Sequence, residues 1–340
     1  VPDLRIPALD YELVNAARRI LENSLGLVPG ERVLIVVDTV HRELGVVLIE
    51  VARLIGADGR LYEIEKNATR PVRSMPLALR DALADVEASV LLVSDHEGEV
   101  LFRRELVGAV PSLRIRHAHM VGVSRGAIIS GFAVDPVRVA NATRAVRMRF
   151  RPDSTVRLRS PSGSDLEVRL TGAHRWVEQV GVIRSGRWEN LPSGELLTCP
   201  GDVRGVFVAD ASVGGAGVRA LGLLGDIRAV RFEIEGGFCR QVRCDDRALQ
   251  RELDEALRRE RNASRVGGLL FGTNVGILRA TGEILCDQHL PGLHLSFGTT
   301  FAEETGASWD ARTQLVATAT LADVDVDGVA LLRAGRYLVI

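Results

Sequence analysis

The sequence predicts an α/β fold: an N-terminal open, mostly parallel sheet with helices on both faces, then a strand-rich α+β domain. Two observations lead there. Up to residue 150, helical patterns alternate with short apolar runs of strand length, as in a parallel sheet covered by helices. From Arg151-Pro152 onward, alternating segments and Gly-rich turns take over, interrupted by one long helix. At 340 residues the chain exceeds one core of ordinary size. The expected domains are 1–150 (α/β) and 151–340 (α+β, carrying the candidate site).

The elements follow in order. DYELVNAARRILENSLGL has apolar residues at helical spacing, with Asp10 as N-cap. Pro29-Gly30-Glu31 is a turn, and RVLIVVD is a buried strand. HRELGVVLIEVARLIGA is a helix closing at Gly56, and GRLYEI is the second strand. MPLALRDALADVEA is helical, and SVLLVSD is a third buried strand ending in Asp95. LFRRELVGAV is helical, RHAHMVGVS is a fourth strand, and DPVRVANATRAVRMRF is a helix with Pro136 in its first turn. In the second half, TVRLRSP and DLEVRLTG flank a Ser-Gly-Ser turn as a hairpin. DDRALQRELDEALRRERNA is the long helix, and DVDVDGVALLRAGRYLVI is a hairpin turned at Asp327-Gly328.

Composition narrows the function. Apolar residues at 46% and charged ones at 26% are those of a soluble globular protein. A net charge of −1 leaves no basic excess for nucleic acid. No apolar stretch reaches the roughly 18–20 residues of a membrane span. The cysteines Cys199, Cys239, Cys244 and Cys286 form no CxxC, which argues against a zinc ribbon. Their sparseness, and a start (VPDLRIPALD) without a basic segment and apolar core, lead to the expectation of a cytoplasmic protein.

The chemistry-bearing residues gather late in the chain. In ENLPSGELLTCP, Pro192 fixes one φ and Gly194 frees another, so Glu195 stands on a sharp turn before a strand. DQHLPGLHLSFG carries His289 and His294, and SWD carries Asp310. One His and two carboxylates on separate strand ends can hold a divalent metal, or can simply be solvated loop residues. His289 is a further ligand or base, or an exposed loop histidine. His117 and His119 alternate on one strand face, as acid and base or as a polar face. His96 follows the third strand, at the carboxyl-end crevice of an open sheet. Arg184 and Arg187 flank the turn and suit a substrate carboxylate. Ser308 lies in no GxSxG elbow. GGAGVRALG lacks a strand-to-helix dinucleotide fingerprint, so no such cofactor is assigned. Cys199 and Cys286 are expected to be buried and structural.

The order VPGERVLIVVD, SPSGSDLEVRLTG, NLPSGELLTCP, VGGLLFGTN, DQHLPGLHLSFG, SWD, VDGVALLRAGR spans nearly the whole chain. It resembles the metallo-aminopeptidases of the aminopeptidase T and S type, a superfamily that includes 2,5-dihydroxypyridine 5,6-dioxygenase. That resemblance implies two metals held by Glu, Glu, His, Tyr, His and Asp. Position by position, the first Glu is Glu195, and Gly268 stands where the second would be. His294 is the first His, Phe301 stands for the Tyr, Ser308 for the second His, and Asp310 is the Asp. Three surviving ligands do not readily bridge two cations roughly 3.5–4 Å apart.

The expectation is therefore one divalent metal per chain on Glu195, His294 and Asp310, with Fe2+ favoured and Mn2+ or Zn2+ accommodated. His289, His117 and His119 would serve catalysis, and Arg184, Arg187, Ser308 and Phe301 would contact a small-molecule substrate. The resemblance also implies a homodimer. Three functions follow: a mononuclear metal enzyme, such as an iron-dependent oxygenase; a metallo-aminopeptidase; or a repurposed relative without that metal chemistry.

Overall fold

The computed structural model describes residues 10–96, 98–215, 218, 222–225 and 228–340. Most of the VPDLRIPALD start, and part of the glycine-rich run from Gly214, lie outside these residues. The chain divides into two compact units, one of residues 1–138 and 181–193, the other of 139–180 and 194–340. The change of pattern at residue 151 thus follows the structural division, which falls inside a helix. Among the described residues no helix is long and apolar enough to cross a membrane.

In the first unit, helix α1 (Tyr11–Arg18) is capped by the Asp10 side chain, which accepts from the Leu13 N–H, and runs on as a π-helix, Arg19–Ser24. There follow β1 (Arg32–Val37), α2 (Arg42–Ile55), β2 (Asp58–Glu63), α3 (Ile64–Asn67), α4 (Leu77–Ala84), β3 (Ala88–Val93), α5 (Val100–Leu113), β4 (Arg116–Val121) and α6 (Arg125–Gly131). Helix α7 (Pro136–Arg147) starts at its proline, as the fixed φ of that residue favours. The strands pair in parallel in the order β2-β1-β3-β4. A core of Leu34, Val36, Leu79, Leu91, Phe102 and Leu106 packs in this unit.

One strand of this sheet escaped the sequence pattern. After β5 (Thr155–Arg159), β6 (Asp165–Arg169) and β7 (Val177–Gln179), the chain returns to the first unit and adds β8 (Arg187–Asn190) parallel to β4. RWEN has no apolar run, because an edge strand exposes much of its surface.

The second unit continues with β9 (Glu195–Thr198), β10 (Asp202–Ala209), β11 (Val213–Gly215), β12 (Val230–Glu235), β13 (Phe238–Arg243), α8 (Arg247–Arg258), β14 (Val266–Gly272), α9 (Ile284–Asp287), β15 (Gly292–Gly298), α10 (Ala302–Thr305), β16 (Gln314–Ala317), β17 (Asp323–Val326), β18 (Val329–Arg333) and β19 (Arg336–Tyr337). They form two antiparallel sheets, β13-β12-β10-β6-β5-β17-β18-β19 and β11-β16-β15-β14-β9-β7. Both predicted hairpins are present. One core joins them, with Phe207 and Phe232 from the larger sheet, Leu196, Phe271, Leu293 and Phe297 from the smaller, and Leu249 and Leu253 from α8. Because side chains alternate, the smaller sheet turns Glu195, Leu197, Gly268, Leu270, Gly272, His294 and Ser296 to its other face.

Charge in the first unit is buried where β1 and β3 end. Asp38 is fully buried and accepts four hydrogen bonds: from His41 N (2.9 Å), His41 Nδ1 (2.6 Å), Ser94 N (2.7 Å) and Arg70 Nη1 (2.6 Å). Arg70 also grips buried Glu99 through Nε (2.9 Å) and Nη2 (2.6 Å). The sheet order changes direction between β1 and β3, where open α/β sheets usually take ligands; here Arg70 joins the two loops. Burial pushes both carboxyls up, and the bonds from His41 and Ser94 to Asp38, and from Arg70 and Val72 to Glu99, outweigh it. Arg70→Ala should therefore cost about 3–5 kcal/mol, since it strands two buried carboxylates. Arg70→Lys should recover little of this, because an ammonium lacks the fork. Urea unfolding at pH 7 checks both.

Candidate functional site

The turn before β9 decides where Glu195 goes. The Leu191-Pro192 peptide is cis, and Gly194 has φ +121°. A Cβ at Gly194 would stand 2.8 Å from Asn274 N, Asn274 Cβ and Val139 Cγ1. The Gly194 backbone donates to Gln179 O (3.2 Å) and accepts from Thr273 N (2.7 Å). Glu195 then enters β9 opposite Gln179 on one side and Gly272 on the other. It is 3% exposed, and its Oε2 has no hydrogen-bond partner. Burial pushes the carboxyl up to about 8, so it is protonated at pH 7.

His289 reaches the same corner from the α9 side. A Cβ on Gly272 would collide with the Leu290 carbonyl oxygen and stand 2.7 Å from the His289 carbonyl carbon. Only glycine admits the 289–290 backbone there. The His289 carbonyl accepts from Asn274 N (3.0 Å). The ring is buried, and its Nδ1 has no partner. Burial, then His294, push the ring down to about 3, while the Gly194 backbone pulls the other way.

His294 is differently placed. It is fully buried, Nε2 donates to Leu290 O (2.9 Å), and Nδ1 accepts from Ala319 N (3.2 Å). Leu290 offers only an oxygen and Ala319 only an N–H, so the tautomer is set and the one lone pair is spent. Burial lowers this ring to about 4, against the Leu290 bond.

The remaining residues do not join this corner. Asp310 is exposed, and its Oδ1 accepts from Thr300 N (2.7 Å), Thr300 Oγ1 (3.1 Å) and Thr299 Oγ1 (3.2 Å). Ser308 is exposed, and half-buried Phe301 precedes α10 with φ +52°. Nearby Asp287 is buried but committed to Thr281 and Gly282. In the first unit, Arg184 and Arg187 are exposed. His117 is buried, with Nδ1 2.8 Å from Ser89 Oγ and Nε2 3.4 Å from His119 Nδ1. Burial, then His119, lower His117; burial, then Arg103, lower His119 to about 3. Cys199 and Cys286 are buried free thiols, each pushed up to about 12 by burial.

The metal implied by the resemblance does not fit these residues. His294 has no free lone pair, and Asp310 is bound at the surface. A Cβ on Gly268 would already meet Leu197 Cδ1 at 3.0 Å and Ser296 Cβ at 3.1 Å. Among the described residues no three His, Cys, Asp or Glu are grouped to hold a metal ion. What the corner does offer is an uncommitted carboxyl oxygen, Glu195 Oε2, and an uncommitted ring nitrogen, His289 Nδ1.

Sequence reading missed two residues on this face. Gln179 Oε1 and Ser296 Oγ are also buried without partners. Ser296 was within reach, two residues after His294 on one strand. Gln179 was not, because its place opposite Glu195 depends on register.

Four of the buried histidines, His117, His119, His289 and His294, bound the pH range. Their folded-state values lie below the unfolded value of about 6.5, so their contribution is complete above that pH. It is lost as pH falls towards 4 and 3, each costing about 1.4 kcal/mol per pH unit. Glu195 has the opposite sign: its folded value is raised, so stability falls as pH rises from about 4.5 to about 8. Stability should peak near pH 6.5 and collapse below about pH 5, and Glu195→Gln should remove the alkaline decline. Urea midpoints between pH 4 and 9 test this; an unchanged alkaline limb in Glu195→Gln would contradict the buried, protonated carboxyl.

No family model matches the chain, and no curated protein matches it in sequence. Among the solved structures that share its fold are two enzymes. 2,5-Dihydroxypyridine dioxygenase from Pseudomonas putida KT2440 is 15% identical with a TM-score of 0.66, covering 98% of this chain and 99% of that one. Wild-type AmpT from Thermus thermophilus is 18% identical with a TM-score of 0.67, covering 98% and 100%. At these identities the likeness is one of architecture: this chain shares the fold of that dioxygenase and of AmpT.

Proposed function

We propose that this protein is an enzyme acting on a small molecule by proton transfer at Glu195, with His289 as the second polar contact, and without the metal chemistry of the proteins it resembles. One observation carries this: Glu195 Oε2 and His289 Nδ1 are both buried and unpartnered. Close approaches at Gly194 and Gly272 bring together the stretches of backbone that carry them. Buried polar atoms without partners are costly, and sites of chemistry are where they are kept.

The chemistry follows from the protonation states. At pH 7 the Glu195 carboxyl is neutral, and it can donate its proton to a substrate oxygen on which negative charge develops. The His289 ring is also neutral, and Nδ1 can accept or donate a hydrogen bond according to its tautomer. The carboxylate left behind takes up a proton from water after the product leaves, so the proton given to the product is replaced each cycle. A dry site makes both contacts stronger than they would be in water.

The metal-dependent alternatives, an iron-using oxygenase or an aminopeptidase, draw support from the fold of the two solved structures. They need a histidine lone pair that His294 does not free, and Asp310, whose Oδ1 is held by Thr299 and Thr300, stands exposed.

Elemental analysis after anaerobic loading with Fe2+, Mn2+ or Zn2+ separates the readings. The expected result is well below one equivalent per chain. One or two equivalents, lost in Glu195→Ala, would overturn the proposal. Substrate screens, run with heteroaromatic lactams and aminoacyl amides, should give turnover that chelator leaves unchanged. Glu195→Gln should lower that turnover by about 10²–10⁴-fold, the usual range for general acid catalysis. The wild-type rate should hold up to about pH 8 and decline above it.

A further inference from the structure

We infer that His294 is a positioning residue, a two-ended backbone clamp that holds His289 beside Glu195, and that it is not a metal ligand in this chain. The inference rests on the proton-transfer reading of that corner for its functional meaning, but its geometry stands alone.

The 289–290 segment lies over Gly272, where a Cβ would collide with it. Leaving α9, it has few ways to satisfy its backbone. Leu290 N donates to Asp287 O (3.2 Å), and the His289 carbonyl accepts from Asn274 N (3.0 Å). Pro291 has no N–H to give. The Leu290 carbonyl belongs to a residue only 7% exposed, and its partner is the His294 ring. An unpaired carbonyl there would cost about 1–3 kcal/mol, so without the ring the segment would have to move towards water and carry His289 with it.

The far side of the ring is equally constrained. Nδ1 accepts from Ala319 N, just beyond β16. Gly292 leaves room for the imidazole: a Cβ there would stand 3.0 Å from His294 Cε1. A ring tied at both nitrogens, between the start of β15 and the end of β16, cannot turn to present a lone pair without breaking one bond and clashing at the other. A first-row metal needs that lone pair.

Two substitutions separate the ends of the clamp. His294→Gln places an amide N–H near Nε2 and can keep the Leu290 bond. His294→Asn places an oxygen near Nδ1 and keeps only the Ala319 bond. The chain has seven histidines, few enough to assign by long-range 1H–15N correlation, which reports ring tautomer directly. In wild type the His294 ring should show Nε2–H and a hydrogen-bonded Nδ1. One equivalent of Mn2+, Fe2+ or Zn2+ should leave the His289 and His294 signals in place, and chelator should leave the thermal midpoint unmoved. The His289 ring signals should move in His294→Asn and return in His294→Gln.

Selective loss or shift of His294 signals at one equivalent of metal would overturn the inference. So would His289 signals identical in wild type and both variants. The chelator and metal titrations need only wild-type protein, so they decide even where a variant fails to fold. Absence of proton-transfer turnover would count against the proposed function and leave these spectroscopic outcomes untouched.

Discussion

The polar face of the smaller antiparallel sheet depends on two hydrogens that stand where side chains would. At Gly194 a Cβ would press on Asn274 and Val139, and at Gly272 it would strike the Leu290 carbonyl. Because neither is present, three stretches of backbone come close together: the turn before β9, the end of β14 and the segment leaving α9. Glu195 therefore enters its strand inside the unit, and His289 arrives beside it. Both are placed by backbone bonds, and an atom of each remains unpaired.

Two ways of burying a carboxyl coexist in the chain, and magnitudes separate them. Asp38 and Glu99 are buried with a guanidinium and backbone N–H groups aimed at them, and charge-assisted bonds of that kind outweigh desolvation. They stay ionised. Glu195 has only desolvation acting on it. An ionised carboxylate there would cost far more than a proton does, so the proton stays. The first arrangement engages four of the five N–H donors of Arg70 where β1 and β3 end. The second leaves capacity over, which a site requires.

Much of the fold was legible in the sequence because hydrophobic period and turn chemistry act locally. The alternation of helix with apolar strand, the Asp10 cap and the turn at Asp327-Gly328 all follow from neighbouring residues. The strand Arg187–Asn190 does not, because membership of an edge is settled by what lies beside it. The candidate site was legible to the same extent. Pro192 and Gly194 announced that Glu195 sits on a turn. Commitment was not legible. Whether a His lone pair is free depends on the Ala319 N–H, 25 residues on, and how much of the Asp310 carboxylate is engaged depends on two threonines that hold its Oδ1. A motif records residue types in order; it does not record which of their atoms are already spent.

That distinction explains why three substituted positions amount to more than three missing ligands. If the chain merely lacked ligands, restoring a carboxylate by Gly268→Glu would rebuild much of the metal set. The space at Gly268 is instead narrowed by Leu197, Ser296 and Leu270, so a new side chain would first have to displace them. Even then, a cation would find the His294 lone pair facing a backbone N–H and Asp310 out at the surface. Taking the histidine back would unpair the Leu290 carbonyl and loosen the segment that brings His289 in. The departure from metal chemistry is thus distributed through backbone hydrogen bonds, and the same bonds that deny a metal its ligands hold the Glu195–His289 corner together.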